Sequence, residues 1–381
     1  MNCFLFFFRL IKSHQVKYKA RKIKNQIACA DWKKIVNFDS KYNLFITNNL
    51  GGGVAKFTQN YLVPLNHILI LKNITYGQDW VYILENNDTH LCCCIDFNGI
   101  NELFSTYIIN KIIVNSLVTN KNTLKFLSLV AKSNIPVTVM VHDYYLVCPN
   151  YVLFSHNEHC QLRYCGENQC LNNLNPFLIP TCSIYEWRLK WQELLLYADE
   201  IRCFSNASKN IVLQAYPGVS ESKVTVIPHK VDYCCFTPVL YKKTPMHIGI
   251  VGSITSKAKG SDVVKQFLSF IKKKDCYVSV IGTPFRFLRV TGKRIHYAGQ
   301  YNQVELQEII QKENVNCIFF PSVCAETFSY LVSEIIMMNL PVVCFDFGAQ
   351  AEKIRKYDKG IVCKSTNPND IYESIKQALQ L

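Results

Sequence analysis

A chain of 381 residues with 49% hydrophobic and 18% charged side chains is long enough to bury a core in each of two domains. This composition excludes a disordered chain, a collagen-like chain and a bare coiled coil. The 42 Lys and Arg residues outnumber the 28 Asp and Glu residues, and the resulting formal charge of +14 favours phosphate-bearing partners, namely nucleotides, anionic lipid surfaces or nucleic acid.

The first 34 residues combine an apolar run with a cationic stretch. The run at 4–8 lacks a charged region before it and a small-residue cleavage site after it, which argues against a secretory signal, and it is too short to span a bilayer. Nine Lys and Arg residues follow by position 34, against the single acid Asp31. Two interpretations stay open: a membrane contact on anionic headgroups, with the Phe run as anchor, or a solvated and partly helical extension.

Short β-branched or aromatic runs alternate with helix-like stretches along the rest of the chain. Strands are predicted at 43–47, 80–84, 90–97, 137–142, 200–204, 224–228, 246–251, 277–281, 317–321 and 341–345. This order favours α/β architecture, with parallel sheets covered by helices. A basic extension (1–40) and two doubly wound, Rossmann-like domains (41–228 and 229–381) are expected, with both domains directing their strand-to-helix loops towards one cleft.

Two loops in this pattern suit a phosphate group. Gly51, Gly52 and Gly53 follow the first predicted strand, where glycines allow close backbone approach and leave amides free at a helix start. A flexible turn would have the same sequence. In the second domain, Lys257 and Lys259 lie in a loop after a buried strand, and a lysine held there can contact a diphosphate. Lys259 is the favoured candidate, and two solvated lysines are the alternative.

The stretch 321–338 carries a pair of acids beside an apolar stripe. The stripe has the spacing of an amphipathic helix: Phe328, Leu331, Val332, Ile335 and Ile336. Glu326 and Glu334 are eight residues apart, which is about 12 Å along a helix axis and suits a nucleotide sugar. We expect Glu334 to bind ribose hydroxyls and Glu326 to contact the sugar. The amides of Thr327, Phe328 and Ser329 would bind the diphosphate at the helix start. The alternative is one helix-terminal acid and one solvated glutamate.

A histidine and a cysteine cluster occur in the first domain. His142 ends a predicted strand, and its neighbour Asp143 and its loop position favour a catalytic-site role over a structural one. The cysteines are Cys148, Cys160, Cys165, Cys170 and Cys182. Four of them, Cys148, Cys160, Cys165 and Cys170, are weak candidates for a structural zinc site, because four intervening residues are not the two of a zinc knuckle. The 18 cysteines are otherwise expected to be reduced thiols, many of them packed in apolar strands.

Taken together, these motifs resemble glycosyltransferases of the GT-B fold, specifically glycosyltransferase family 4 of the "glycosyl transferases group 1" type. The resemblance covers most of the chain and rests on 51–53, 142–145, 148–149, 205, 227–232, 259–260, 326–334, 340–343 and 346–349. It implies a retaining transferase that binds a sugar nucleotide mainly through its C-terminal domain and the acceptor mainly through its N-terminal domain.

The resemblance also implies site residues. The expected catalytic residues are His142 beside the donor sugar, Glu326 as the sugar-side acid and Lys259 on the diphosphate. The expected donor-binding residues are Gly52, Gly53, Lys257, Thr327, Phe328, Ser329 and the ribose ligand Glu334. No cofactor is expected beyond the nucleotide sugar as substrate. No catalytic metal is expected either, because the chain has no Asp-x-Asp motif.

Three positions depart from the family pattern: Ser253 replaces a frequent arginine, and Ser329 and Asn339 replace frequent glycines. The leading hypothesis is a transferase that acts at the cytoplasmic membrane face on a lipid-linked or polysaccharide acceptor, in polysaccharide or lipopolysaccharide synthesis, with residues 1–34 as a peripheral membrane contact. A catalytically silent GT-B scaffold that binds nucleotide or supports a partner enzyme is the second hypothesis. A nucleic-acid-binding protein is the third, but only the net charge supports it and no aromatic-basic motif is present, so no nucleic acid partner is expected.

Overall fold

The computed structural model describes residues 31–48, 52–62, 65–76, 79–120, 122–155, 158–160, 162, 182–232, 235–284 and 290–381. The chain divides into two compact units. Unit 1 comprises Met1–Tyr151, Leu162–Cys203 and Val212–Val226, and unit 2 comprises Val152–Gln161, Phe204–Ile211 and Ile227–Leu381. Most of the basic stretch at 1–34 lies outside the described residues. No helix among the residues described has both the length and the apolar character that a membrane span requires.

Helices and strands alternate through both units. The described residues form ten α-helices: α1 (Gly52–Leu62), α2 (Phe97–Ser105), α3 (Thr123–Ala131), α4 (Ile184–Tyr197), α5 (Asn206–Ala215), α6 (Ser261–Ile271), α7 (Leu306–Lys312), α8 (Tyr330–Met337), α9 (Gly348–Ile354) and α10 (Pro368–Gln380). The strands of unit 1 are β1 (Tyr42–Asn48), β2 (Ile68–Tyr76), β3 (Asp79–Asn86), β4 (Cys92–Ile95), β5 (Ile109–Val114), β6 (Val137–Met140), β9 (Glu200–Cys203) and β10 (Val224–Val226). Those of unit 2 are β7 (Phe154–Ser155), β8 (Glu158–His159), β11 (His247–Val251), β12 (Tyr277–Ile281), β13 (Ile295–Gly299), β14 (Cys317–Phe320), β15 (Val342–Phe345) and β16 (Gly360–Cys363). Short 3₁₀ helices occur at Trp32–Lys34, Glu221–Lys223 and Gln303–Glu305.

Unit 1 contains an eight-stranded sheet with the order β10-β9-β6-β5-β1-β2-β3-β4. Its strands are parallel from β10 to β2, but β2, β3 and β4 form an antiparallel meander. The sequence predicted parallel pairing here, which is wrong for this edge. Only two residues separate β2 from β3, and a parallel crossover needs a connection of a dozen or more. Trp32 is buried in the core, and the Asn86 amide donates to the Ile35 carbonyl, so this part of the predicted extension packs into unit 1.

Unit 2 contains a six-stranded parallel sheet with the order β13-β12-β11-β14-β15-β16. Successive residues of β14 face opposite sides, as the pleat requires: Phe319 packs with Phe267 of α6, while Ile318 belongs to the cluster that includes Ile335 of α8. Helices therefore cover both faces of the sheet. The order in which β12 and β14 flank β11 on opposite sides is that of a doubly wound dinucleotide-binding sheet.

All ten predicted strands are present, with ends that differ by at most two residues. Six further strands in the described residues were missed, namely β2, β5, β7, β8, β13 and β16. In the first two, the apolar runs are only four residues (68–71) and three residues (112–114) long, and periodicity in such short runs does not separate a buried strand from a buried helix. The predicted fold class, two doubly wound α/β units, is confirmed.

Candidate active site

The candidate site of unit 2 lies at the carboxyl ends of β11 and β14. These two strands are neighbours, but the chain continues from β11 to β12 on one side and from β14 to β15 on the other. Ligands of open α/β sheets bind in the crevice beyond the carboxyl ends of such strands. The loop at 252–260 follows β11, and the loop at 321–329 follows β14. Six of the predicted residues lie in these two loops: Lys257, Lys259, Glu326, Thr327, Phe328 and Ser329.

Lys259 and Glu326 form an ion pair at this edge. The Lys259 ammonium donates to Glu326 Oε1, and the side chains are 41% and 15% exposed respectively. Burial opposes ionisation of Glu326, but Lys259, together with Ser329 and Lys353, outweighs it and holds the pKa of the carboxyl below its usual value. The pair therefore presents a carboxylate and a partly exposed cation together. Lys257 is more exposed and lies 3.4 Å from the Asp262 carboxylate.

One glycine and one buried side-chain amide fix the backbone around this pair. Gly260 has a φ of +82°, and a Cβ there would lie 2.0 Å from the carbonyl oxygen of Pro321. The Gln350 amide is fully buried; it accepts from the Glu326 N–H at 3.1 Å and donates to the Cys324 carbonyl at 2.7 Å. These contacts hold the loop after β14 against both the loop after β11 and the start of α9.

The helix that carries Glu334 starts later than the sequence predicts. α8 begins at Tyr330, with Ser329 as its N-terminal cap at φ +60°, so Glu326 lies in the preceding loop. The prediction of both acids on one helix, about 12 Å apart along its axis, is therefore wrong. The helical spacing of the apolar residues continued through Phe328, but this ring packs against His229 and Tyr330 and belongs to a turn.

Glu334 is buried, with only 2% of its surface exposed, and accepts a hydrogen bond from the Gln303 amide. The alternative of a solvated glutamate is wrong, because the side chain is buried. A buried carboxylate needs a polar partner, and the Gln303 amide provides one. Gln303 in turn lines a cavity of about 450 Å³ with Gly252, Ser253, Gly282, Thr283, Gln300 and Tyr301. The Gln303 amide thus links the buried acid to the cavity.

Glycine shapes the wall of this pocket. Gly252 and Gly282 have φ values of +115° and +125°, and a Cβ on Gly282 would lie 2.2 Å from the Gly252 carbonyl oxygen. Backbone amides therefore approach the pocket more closely than side chains would allow. Ser253, which replaces the expected arginine, is exposed and lies with its hydroxyl 3.4 Å from that of Thr255. In this position it supplies no positive charge.

The other two departures from the family pattern fit the backbone. Ser329 and Asn339 both lie in the left-handed region, at φ +60° and +55°. This region favours glycine, and Asn tolerates it better than most other residues. Both positions therefore have a backbone conformation that glycine would favour.

Lys353 of α9 is a site residue that the sequence analysis missed. Its ammonium donates to the Ser329 carbonyl at 3.1 Å and to the Ser333 hydroxyl, and it lies 3.3 Å from the centre of the Phe328 ring. Burial lowers its pKa to about 7, against the opposing attraction of Glu326, Glu352 and Glu334. The sequence around it has no feature that distinguishes it from a surface lysine.

His229 packs in an aromatic cluster beside the same turn. Its ring stacks on Phe204 at 3.8 Å and on Tyr330 at 5.1 Å, and it meets the edge of Phe328 at 4.7 Å. Burial, together with the positive charge of Lys353, lowers its pKa to about 3. The ring is consequently neutral at pH 7 and acts as a packing group.

In unit 1, His142 follows β6 and lies with its ring centre 4.6 Å from that of Phe57 in α1. Its neighbour Asp143 accepts hydrogen bonds from the Ser116 hydroxyl at 2.8 Å and from the Tyr145 N–H at 2.9 Å. Burial raises the pKa of Asp143 to about 6, although both hydrogen bonds oppose this. His142 thus lies at the carboxyl end of a parallel strand, with an acid fixed beside it.

The remaining predicted residues are placed as follows. Gly52 and Gly53 open α1, directly after the first parallel strand and its loop, while Gly51 lies outside the described residues. Of the zinc candidates, Cys148 is buried and Cys160 is half-buried, while Cys165 and Cys170 are also outside those residues. Within the part of the chain that is described, no cluster of three or more His, Cys, Asp or Glu side chains is arranged to hold a metal ion.

Residues 245–381 match the model of the family described as "Glycosyl transferases group 1". No curated protein matches the chain in sequence. Solved structures do resemble it. Anabaena HepE, determined with UDP, is 13% identical with a TM-score of 0.56, over 89% of this chain and 92% of that one. A glycosyltransferase from Rickettsia africae ESF-5 is 14% identical with a TM-score of 0.56, over 90% and 89%.

A third similar structure is the lipopolysaccharide outer core galactosyltransferase WaaB. It is 13% identical with a TM-score of 0.55, over 89% of this chain and 90% of that chain. At such identities the likeness establishes the fold alone. The fold is that of GT-B glycosyltransferases, as the sequence predicted.

Proposed function

We propose that the chain is a retaining glycosyltransferase that transfers a sugar from a UDP-sugar to a lipid-linked or polysaccharide acceptor in cell-surface glycan synthesis. The match of residues 245–381 to a glycosyltransferase family supports the reaction class. The UDP bound in HepE supports the choice of nucleotide, and the activity named for WaaB supports a cell-surface acceptor. Family 4 membership, suggested by the sequence motifs, is part of the same proposal.

The observation that carries the proposal is the pair of acids around the start of α8. Glu334 is buried behind the 450 Å³ cavity, and Glu326 is paired with Lys259 at the neighbouring loop. In the proposed complex the nucleoside occupies the cavity, and Glu334 accepts hydrogen bonds from the ribose hydroxyls. The diphosphate then lies towards Lys259, with the donor sugar near Glu326.

The chemistry of transfer suits these charges. When the bond between the anomeric carbon and the diphosphate oxygen breaks, negative charge grows on that oxygen and positive charge on the sugar ring. Lys259 and the amides of Thr327, Phe328 and Ser329 would stabilise the leaving oxygen, and the Glu326 carboxylate would stabilise the ring. Catalysis by these groups without a metal ion is part of the proposal. His142 is assigned to the cleft beside the donor sugar by its motif.

Thermal unfolding with a panel of sugar nucleotides tests the donor. A ligand that binds only the folded state stabilises it and so raises the melting temperature. At a concentration one hundred times Kd, the free energy of unfolding increases by about 3 kcal/mol. We expect UDP-sugars to give this shift and GDP-, dTDP- and ADP-sugars to give less. The shift should persist in EDTA, and product analysis with candidate acceptors should show transfer with retention at the anomeric carbon.

Glu334→Gln is the sharpest variant, because it keeps the size of the side chain and removes its charge. A hydrogen bond to a charged group contributes about 1.5–3 kcal/mol, so we expect UDP affinity to fall roughly 10- to 150-fold. Glu308→Gln on α7, which changes an exposed glutamate, is the matched control and should bind as the original chain does. Equal UDP binding by the folded Glu334→Gln protein would refute the ribose assignment.

The second candidate is a catalytically silent scaffold that binds nucleotide. The uncharged Ser253 in the cavity wall favours it, because one expected phosphate cation is missing there. The two functions separate in one assay: a scaffold binds UDP-sugar but neither transfers the sugar nor hydrolyses the donor slowly. Cytoplasmic location, with contact to the inner face of the plasma membrane through residues 1–34, remains part of the leading proposal.

A further inference from the structure

The edge of the unit 2 sheet opposite to the candidate site is strongly basic. Strands β11, β12 and β13 are parallel neighbours, so the segments that enter them share one edge. Six exposed basic side chains lie in the segments at 238–246, 272–276 and 290–294: Lys242, Lys243, Lys272, Lys273, Lys293 and Arg294. The single acid in these segments is Asp275, which pairs with Arg294 at 2.6 Å. We call these six residues the basic edge.

Exposed apolar groups lie among these cations. Leu240 is 96% exposed and Tyr277 is 42% exposed, and both line a cavity of about 840 Å³ together with Lys242 and Pro245. Tyr277 also lies under the Arg294 guanidinium, 5.7 Å from its ring centre. Two of the cations, Lys242 and Arg294, therefore lie directly beside these exposed apolar groups.

The segment that carries Leu240 is held in place by hydrogen bonds to buried Asn316. Buried Asn316 donates from its amide to the carbonyls of Lys242 and Pro245 at 2.8 and 2.7 Å, and it accepts from the His247 N–H at 2.8 Å. Val239 packs into the core at 4% exposure, while the next residue, Leu240, points to solvent. The exposure of Leu240 is thus a feature of a fixed segment.

We propose that the basic edge docks on a membrane surface that carries anionic lipid headgroups, with Leu240 and Tyr277 entering the interfacial region. Lysines near an anionic surface attract its headgroups, and exposed leucine and tyrosine side chains gain from contact with the acyl boundary. An exposed leucine gains nothing from the phosphates of a nucleic acid, and this favours a lipid surface. The site is independent of the proposed transferase function and of the stretch at 1–34.

Vesicle binding by the full chain tests this inference. The probes are vesicles of phosphatidylcholine with and without phosphatidylglycerol, and flotation measures the bound fraction. We expect binding only to the vesicles that contain phosphatidylglycerol. The test variant is Lys272→Glu with Lys273→Glu, at the end of α6. Each lysine near an anionic surface contributes about fivefold, so the apparent affinity should fall at least roughly twentyfold.

The matched control is Lys265→Glu with Lys364→Glu, which makes the same change in net charge at exposed positions of unit 2, in the first half of α6 and beyond the carboxyl end of β16. It should lower the affinity by less than about threefold, since charges beyond a Debye length are screened. Equal losses in the two variants would mean that only the net charge matters and would overturn the proposal. Undiminished binding by the test variant would overturn it too, because residues 1–34 would then carry the contact.

Leu240→Ser separates a membrane from a soluble polyanion. It should reduce binding to phosphatidylglycerol vesicles about tenfold or more while leaving the unfolding midpoint unchanged, because the side chain is almost fully exposed in the chain alone. No change in vesicle binding would overturn the insertion of Leu240. Tight binding of an RNA or DNA duplex that is lost in Lys272→Glu with Lys273→Glu, without any vesicle binding, would assign the edge to nucleic acid instead.

Discussion

Gly260→Ala tests how the loop that carries Lys259 is held. Gly260 caps α6 at φ +82°, and an added Cβ would lie 2.0 Å from the Pro321 carbonyl oxygen and 2.7 Å from its carbon. Both contacts are backbone atoms, which cannot move aside as a flexible side chain can. The substitution should therefore change both the stability of unit 2 and the position of Lys259.

A second glycine of unit 2 provides the control. Gly299 has a φ of +84°, almost equal to that of Gly260, but a Cβ there would have nothing within 4 Å. Alanine in the left-handed region costs about 1–2 kcal/mol at either position. Overpacking adds roughly 1–3 kcal/mol at Gly260 alone. The difference between the two variants therefore isolates the close approach to Pro321.

The assay is thermal unfolding followed by circular dichroism, with and without UDP-sugar. At about 2–4 °C per kcal/mol for a unit of this size, Gly299→Ala should lower the melting temperature by about 2–8 °C and Gly260→Ala by about 4–20 °C. Gly260→Ala should also reduce the shift produced by UDP-sugar, because Lys259 precedes it directly. Equal destabilisation by the two variants would refute the steric reasoning, whatever the outcome for the nucleotide.

Three buried titratable side chains provide further tests. Burial lowers the pKa of Lys353 to about 7 from 10.5, so the unfolded chain binds more protons between these values and stability should rise with pH across that window. Lys353→Met should flatten this rise in urea unfolding. Burial raises the pKa of Asp143 to about 6 from 3.8, so stability should fall as pH rises through that window, and Asp143→Asn should remove the fall. An unchanged pH profile in either variant would contradict the corresponding assignment. His229→Phe should keep the stacking on Phe204 and Tyr330 and cost less than about 1.5 kcal/mol, whereas His229→Ala should cost roughly 2–5 kcal/mol; equal costs would show that the ring does not act by packing.

The sequence predicted four of the six strands of the unit 2 sheet, and both of its site loops, because each is a local pattern. A β-branched run such as 277–281 needs only its own residues to indicate a strand, and β12 has these same ends. The antiparallel direction of β2 and β3, in contrast, depends on which strands are neighbours in the sheet. That choice is made by contacts between distant segments, and only the short connection between the two strands hinted at it.

Residue identities in the candidate site were easier to predict than their geometry. Glu326 and Lys259 were each chosen from a separate motif, and the structure pairs them. Helical periodicity placed Glu326 on the same helix as Glu334, because Phe328 fits an apolar stripe as well as it fits a turn. The helix starts only after the left-handed Ser329, whose carbonyl accepts from Lys353, a residue 24 positions along the chain. A contact at that distance leaves no trace in local periodicity.

The left-handed glycines point to the same edge of unit 2 as the acids do. In the described residues, every glycine with a positive φ lies at or just after the carboxyl end of a strand of this sheet, or in the loop that leaves it: Gly252, Gly260, Gly282, Gly299 and Gly348. The amino edge of the same sheet has none. Because such conformations expose amides and exclude Cβ atoms, they create backbone donors where a diphosphate can approach. The basic edge, which relies on lysine side chains, has a surface suited to many weak contacts with headgroups. One sheet thus provides a backbone-lined site at one edge and a charge-lined surface at the other, and the loss of one lysine from the second should weaken binding only about fivefold.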